Sequence, residues 1–167
     1  GSDNVLGDAN VRLIDIDNAN VLGVDVSDPN ASDDIIVKEL HLPVGRKVNF
    51  KFRSQDVLHS AYMPHFRAQM NCVPGMITEF SFTPSVTTAE MRLRPEVVEK
   101  VARTNALRAE RAAKGEPNSD PWEFDYVLLC NKICGKSHYN MQMKIIVETE
   151  EEYNAWLESQ QTFSQTM

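Results

Sequence analysis

The sequence predicts an all-β domain, a sandwich or barrel with Greek-key connections. Three observations predict it. Short runs with β character recur along most of the 167 residues, and prolines and glycines punctuate them as turns. The clearest run, Lys47-Val48-Asn49-Phe50-Lys51-Phe52-Arg53, alternates strictly between polar and apolar, as a half-buried strand does. Many short strands with regular turn signals fit a sandwich or barrel better than any helical plan.

Each element follows in chain order. Val11 to Ile16 alternates in part and reads as a first strand. Ile36 to Leu42 is a second, bounded by Pro43 and Gly45. After residues 47–53 come strands over Val57 to Met63, Met76 to Phe82, Phe124 to Cys130 and Met143 to Val147, with Pro64, Pro74-Gly75 and Pro84 at the turns. Residues 92–120 interrupt this rhythm. They are rich in Ala, Leu and charge, with seven basic and five acidic groups. Pro95 suits a first helical turn and Gly115 a terminus, so the stretch predicts an inserted helix over about 95–114. Near the end, Thr149-Glu150-Glu151-Glu152 has the form of a capping box. Tyr153, Trp156 and Leu157 then share one face of a C-terminal helix expected to pack on the barrel.

Three segments are expected: an acidic stretch over 1–34 with a truncated start, a domain over 35–160 with its insertion at 92–120, and a frayed tail over 161–167. Gly1-Ser2 resembles the remnant of a cleaved tag. The net charge of −7 argues against nucleic acid or an anionic membrane surface as partner and suits a basic one. Residues 1–40 carry nine acidic groups against Arg12 and Lys38. Three cysteines, an odd number, make a disulfide framework a poor reading. No apolar run approaches the ~20 residues of a membrane helix.

The chemistry concentrates in Cys130-Asn131-Lys132-Ile133-Cys134-Gly135-Lys136-Ser137-His138-Tyr139-Asn140-Met141. Two thiols, an imidazole and a thioether at this spacing are soft and borderline donors that select copper over calcium or magnesium. The two cysteines could instead be inert core residues or a local disulfide. Positions 130, 134, 138 and 141 would also share one face of an ideal helix. However, a strand enters the segment, another leaves it, and Gly135 interrupts it, so a ligand loop between strands fits better. His59, in the cluster Asp56-Val57-Leu58-His59-Ser60 near a strand end, supplies a distant imidazole. His41 and His65 read as ordinary surface or turn residues, Cys72 as a small buried residue, and Met143 as core.

With these residues placed, the chain resembles the soluble copper-A domain of cytochrome c oxidase subunit II over roughly residues 35–160. The resemblance rests on Asp56-Val57-Leu58-His59-Ser60, on Val73-Pro74-Gly75 and on the Cys-x-x-x-Cys-Gly-x-x-His-x-x-Met run. Ser60-Ala61-Tyr62-Met63-Pro64-His65-Phe66 looks like the branch found in Bacteroidetes. The resemblance implies a cupredoxin-like fold and a dinuclear, mixed-valence copper pair. Cys130 and Cys134 would bridge both ions, His59 and His138 would each cap one, Met141 would be a weak ligand, and the main-chain carbonyl of Lys132 the last. It further implies an oxidoreductase complex that moves protons. A c-type cytochrome would give single electrons to this domain, and haem in subunit I would take them. The place implied is the periplasmic side of the bacterial inner membrane, with membrane contact only through N-terminal helices missing here.

This sequence departs from the pattern where Lys132 stands in place of a glutamate, so no magnesium ligand is expected from that position. The insertion at 92–120 has no counterpart in the common form. Two other readings remain at this point: a copper chaperone or thiol reductant for oxidase assembly, and the copper-A domain of nitrous oxide reductase. The first is usually thioredoxin-like and does not need Met141. The second favours Trp where Ile133 stands.

Overall fold

A computed structural model describes residues 5–18, 20–117 and 119–166, so the reading of Gly1-Ser2 lies outside the described residues. The chain divides into two compact units, one of residues 39–153 and one joining 1–38 with 154–167.

The larger unit is the β domain the sequence predicts. Among the described residues its strands are β1 (Leu40–Pro43), β2 (Val48–Phe52), β3 (His59–Met63), β4 (Ala68–Cys72), β5 (Thr78–Phe82), β6 (Tyr126–Leu129) and β7 (Gln142–Glu148). One sheet has the order β1-β7-β6-β3-β4, and β2 and β5 form a second, two-stranded sheet. Only β1 with β7 is parallel; the other pairs are antiparallel. The result is a cupredoxin-like sandwich.

Alternation explains the core. In β2 and β5 the phenylalanines point inward, Phe50 pairs with Phe80 in register, and the Phe50 and Phe82 rings stack at 5.4 Å. Phe66 bridges the sheets, 4.6 Å from Phe82 and 4.7 Å from Tyr126. Against these pack Leu42, Met63, Ile145 and Val147 from the larger sheet. Offset and tilted aromatic pairs of this kind add to the burial they accompany.

The inserted helix forms as predicted. It runs over Pro95–Ala113, with Pro95 in its first turn and Gly115 beyond its end at φ 72°. Its inward face buries Val97, and Asn105 exchanges two hydrogen bonds with the Trp122 main chain (3.0 and 2.7 Å). A short helix over Thr88–Arg92, unforeseen in the sequence, precedes it and is capped reciprocally by Thr87 and Glu90. The C-terminal helix spans Glu150–Ser159, and its capping box is present: Thr149 and Glu152 hydrogen-bond to each other's main chain (3.0 and 3.3 Å). Within the larger unit, Arg46 pairs with Glu150 at 3.2 Å and lies over the Tyr153 ring.

Two expectations need correction. Val11 to Ile16 is no strand. Val11–Leu13 forms a 3-10 turn capped by Asn10, Asp15 makes only an isolated bridge with Asn20, and Val11, Leu13 and Ile16 are exposed. His41 is not a surface residue. It is 7% exposed in β1, and its Nδ1 lies 2.8 Å from Glu148 of β7. His65 does sit at the turn, on the 3-10 segment Pro64–Phe66. Cys72 and Met143 are half-buried.

In the smaller unit, the stretch read as a frayed tail carries a short helix, Phe163–Thr166. Phe163 is buried, and its N–H donates to the Asp34 carbonyl at 2.6 Å. Asx-type caps hold the loops of this unit, as where Asp28 accepts from Asn30 N–H and Asp25 from Ser27.

Candidate metal centre

Strand ends and one loop build the site. His59 opens β3, while Cys130 follows β6 directly, so two neighbouring interior strands deliver an imidazole and a thiol to the same end of the sheet. Between Cys130 and β7 the chain forms a loop with a single 3-10 turn, His138–Asn140, and no α-helix. Gly135 stands at φ 136°, a conformation that side chains resist, which explains the glycine directly after Cys134. The loop closes where Cys130 N–H donates to the Met141 carbonyl at 3.1 Å.

The six sequence-predicted positions meet here. Cys130 Sγ lies 3.6 Å from Cys134 Sγ, 3.8 Å from His59 Nδ1 and 3.6 Å from the Lys132 carbonyl oxygen. Cys134 Sγ lies 3.4 Å from His138 Nδ1 and 3.7 Å from Met141 Sδ. Both thiols are free, and the sulfurs stand well beyond the ~2.05 Å of a disulfide bond. His59, Cys130 and Cys134 place one ligand atom each within 4.8 Å of one another. Among the described residues this is the one His, Cys, Asp and Glu group so arranged.

Electrostatics single out Cys130. Burial pushes its thiol up, but main-chain contacts from Lys132 and Ser60 and the side chains of His59 and Cys134 outweigh it, bringing its pKa down to about 6. Burial and the neighbouring Cys130 push Cys134 the other way. Asp56 accepts a hydrogen bond from His59 Nε2 at 2.7 Å; this contact raises the histidine's pKa, against burial, and lowers the aspartate's.

Sequence reasoning missed Ser60 and Asn131, neighbours of His59 and Cys130 that hydrogen-bond to each other. Their positions beside ligand candidates were the available signal. Within the ligand loop Ile133 and Tyr139 are almost fully exposed, and Val57 and Leu58, next to His59, are exposed as well. Among the described residues no helix is long and apolar enough to cross a membrane.

No protein-family model matches the chain. Among curated proteins it is 37% identical over 166 residues to the alternative cytochrome c oxidase subunit 2 of Bradyrhizobium diazoefficiens, covering 98% of this chain and 46% of the relative. The similarity therefore extends beyond residues 35–160. Cytochrome c oxidase subunit 2 of Thermostichus vulcanus is 25% identical over 130 residues, covering 78% of this chain and 28% of that protein. The chain thus spans less than half the length of either relative. Among solved structures, the periplasmic domain of subunit II of cytochrome oxidase (CoxB) of Bradyrhizobium japonicum aligns with 72% of this chain and 62% of its own. Its TM-score is 0.49 at 20% identity.

Proposed function

Because the chain belongs to the cytochrome c oxidase subunit 2 family, we propose that it is the copper-bearing, electron-transfer part of such a subunit. One observation carries this reading: two thiols, two imidazole nitrogens, a thioether and a main-chain carbonyl meet around a sulfur pair 3.6 Å apart. Apart from the Lys132 carbonyl the donors are soft to borderline, and no carboxylate stands among them, which suits copper far better than a hard cation such as magnesium.

His59, Cys130, Lys132 through its carbonyl, Cys134, His138 and Met141 would hold a dinuclear copper centre. Cys130 and Cys134 are close enough to share ions between them. The chemistry such a centre supplies when bound is reversible transfer of one electron. The protein's own share is positional. Strands β3 and β6 fix His59 and Cys130 at one rigid end of the sheet, and the Cys130–Met141 hydrogen bond pins the loop, so donor atoms need not move as charge changes. The exposed Met141 thioether stands as a weaker donor at the rim.

As part of a longer subunit, the domain would sit on the periplasmic side of the bacterial inner membrane. There it would accept electrons from a c-type cytochrome and pass them to haem in subunit I of an oxygen-reducing oxidase. The net charge of −7 favours a basic donor. The test is copper uptake by the reduced, metal-free domain. Two ions retained per chain after desalting support the reading, whereas one ion or none refutes it.

A further inference from the structure

Strand β3 pairs with β6 in a register defined by Tyr62 opposite Leu129. Continued along the antiparallel strands, that register sets Ala61 opposite Cys130, Ser60 opposite Asn131 and His59 opposite Lys132. Side chains take over the pairing at this point. Asn131 N–H donates to Ser60 Oγ at 3.0 Å, while the Ser60 hydroxyl donates its proton to Asn131 Oδ1. Gln69 Nε2 reaches the same Oδ1 at 3.5 Å.

Ser60 is 4% exposed, so its hydroxyl has given up water and depends on these partners. A hydroxyl can donate once and accept at the same time. One residue thereby closes a ring onto both the main chain and the side chain of Asn131. That ring fixes the backbone immediately between Cys130 and Lys132. The loop is then gripped twice, at Asn131 from β3 and at Cys130 from Met141.

We propose that Ser60 and Asn131 are positioning residues: together they clamp the ligand loop to β3 and hold the Cys130 sulfur and the Lys132 carbonyl in fixed relation to His59. Neither side chain is among the donor atoms that would hold the copper. The inference rests on the copper reading, since it concerns where ligand atoms are held. A clamp of this kind tunes the potential and the electronic signature of the centre through the placing of its ligands, while the donor atoms themselves stay in place.

Four variants of the full chain test it: Ser60→Ala, Asn131→Ala, the double variant, and Ser60→Thr. Each is loaded with copper and its reduction potential and EPR hyperfine splitting are recorded. Hydrogen exchange at the Asn131 amide is followed separately in the reduced, metal-free chain. Ser60→Ala and Asn131→Ala should keep the parent's copper content but shift potential and splitting. The double variant should shift no further than the larger single, because the two residues act as one unit. Ser60→Thr, which keeps the hydroxyl, should stay with the parent.

Losing one hydrogen bond of about 0.5–1.5 kcal/mol should speed exchange of the Asn131 amide in metal-free Ser60→Ala by roughly 2- to 12-fold. A folded Ser60→Ala with the parent's potential, splitting and exchange rate overturns the clamp. If Ser60→Ala does not fold, Asn131→Ala carries the same potential and splitting test. A parent chain that takes up no copper counts against the copper reading, and the exchange contrast then decides the clamp by itself.

Discussion

Asp56 Oδ1 lies 2.7 Å from His59 Nε2, and the other nitrogen of that ring faces Cys130 Sγ at 3.8 Å. The carboxylate takes up the distal N–H and so turns the Nδ1 lone pair toward the sulfurs, the arrangement in which a carboxylate outside the ligand set orients a metal-binding histidine. Removing it should release the ring without touching a ligand. Asp56→Ala is expected to weaken copper binding by roughly 10–100-fold, measured by competition against a chelator. Unchanged affinity would show that the strand itself orients His59.

The two thiols should differ in the metal-free protein. Cys130 has its pKa lowered to about 6, so its thiolate is present above that pH and is lost as the pH falls through it. Cys134 is shifted upward and remains a thiol at neutral pH. Brief treatment with iodoacetamide at pH 7 should therefore modify Cys130 first, with the rate dropping below about pH 6. Peptide mass spectrometry reads the order. Modification of Cys134 ahead of Cys130 would contradict it.

Substitution at two positions of the ligand loop should have unlike effects. Cys134→Ser removes a sulfur 3.6 Å from its partner and should abolish a mixed-valence signal altogether. Met141→Leu, at a 40% exposed position, should leave two coppers bound with an altered potential. A Cys134→Ser protein with the parent's spectrum would refute the bridging role.

Stability should be most sensitive where β7 crosses the core. Ile145 has no exposed surface, and Ile145→Ala should cost roughly 2–5 kcal/mol in urea unfolding. His41→Ala, which strips Glu148 of a buried partner at 2.8 Å, should cost roughly 1–3 kcal/mol. A loss below about 0.5 kcal/mol in either would mean that the site collapses or hydrates without penalty.

Much of this was legible in the residues. The alternation of Val48, Phe50 and Phe52 and the Pro95 and Gly115 boundaries gave elements to within one or two positions, because each signal is local. Strand β4 was not legible. Ala68-Gln69-Met70-Asn71-Cys72 has no β-branched residue and takes its conformation from pairing with β3. Val11 to Ile16 misled for the opposite reason, offering strand-like residues that pair, among the described residues, only in an isolated Asp15–Asn20 bridge. His41 looked ordinary because Glu148, which holds it, lies 107 positions away. The ligand positions were legible because five of the six fall within one short segment, residues 130–141. The Ser60–Asn131 contact depended on a register that no local pattern encodes.

The most direct measurement is the EPR spectrum of the copper-loaded chain at low temperature. One unpaired electron shared equally by two copper nuclei gives a seven-line hyperfine pattern, which is the result expected of sulfurs held in common by two ions. A four-line pattern would mean isolated copper and would contradict the shared centre.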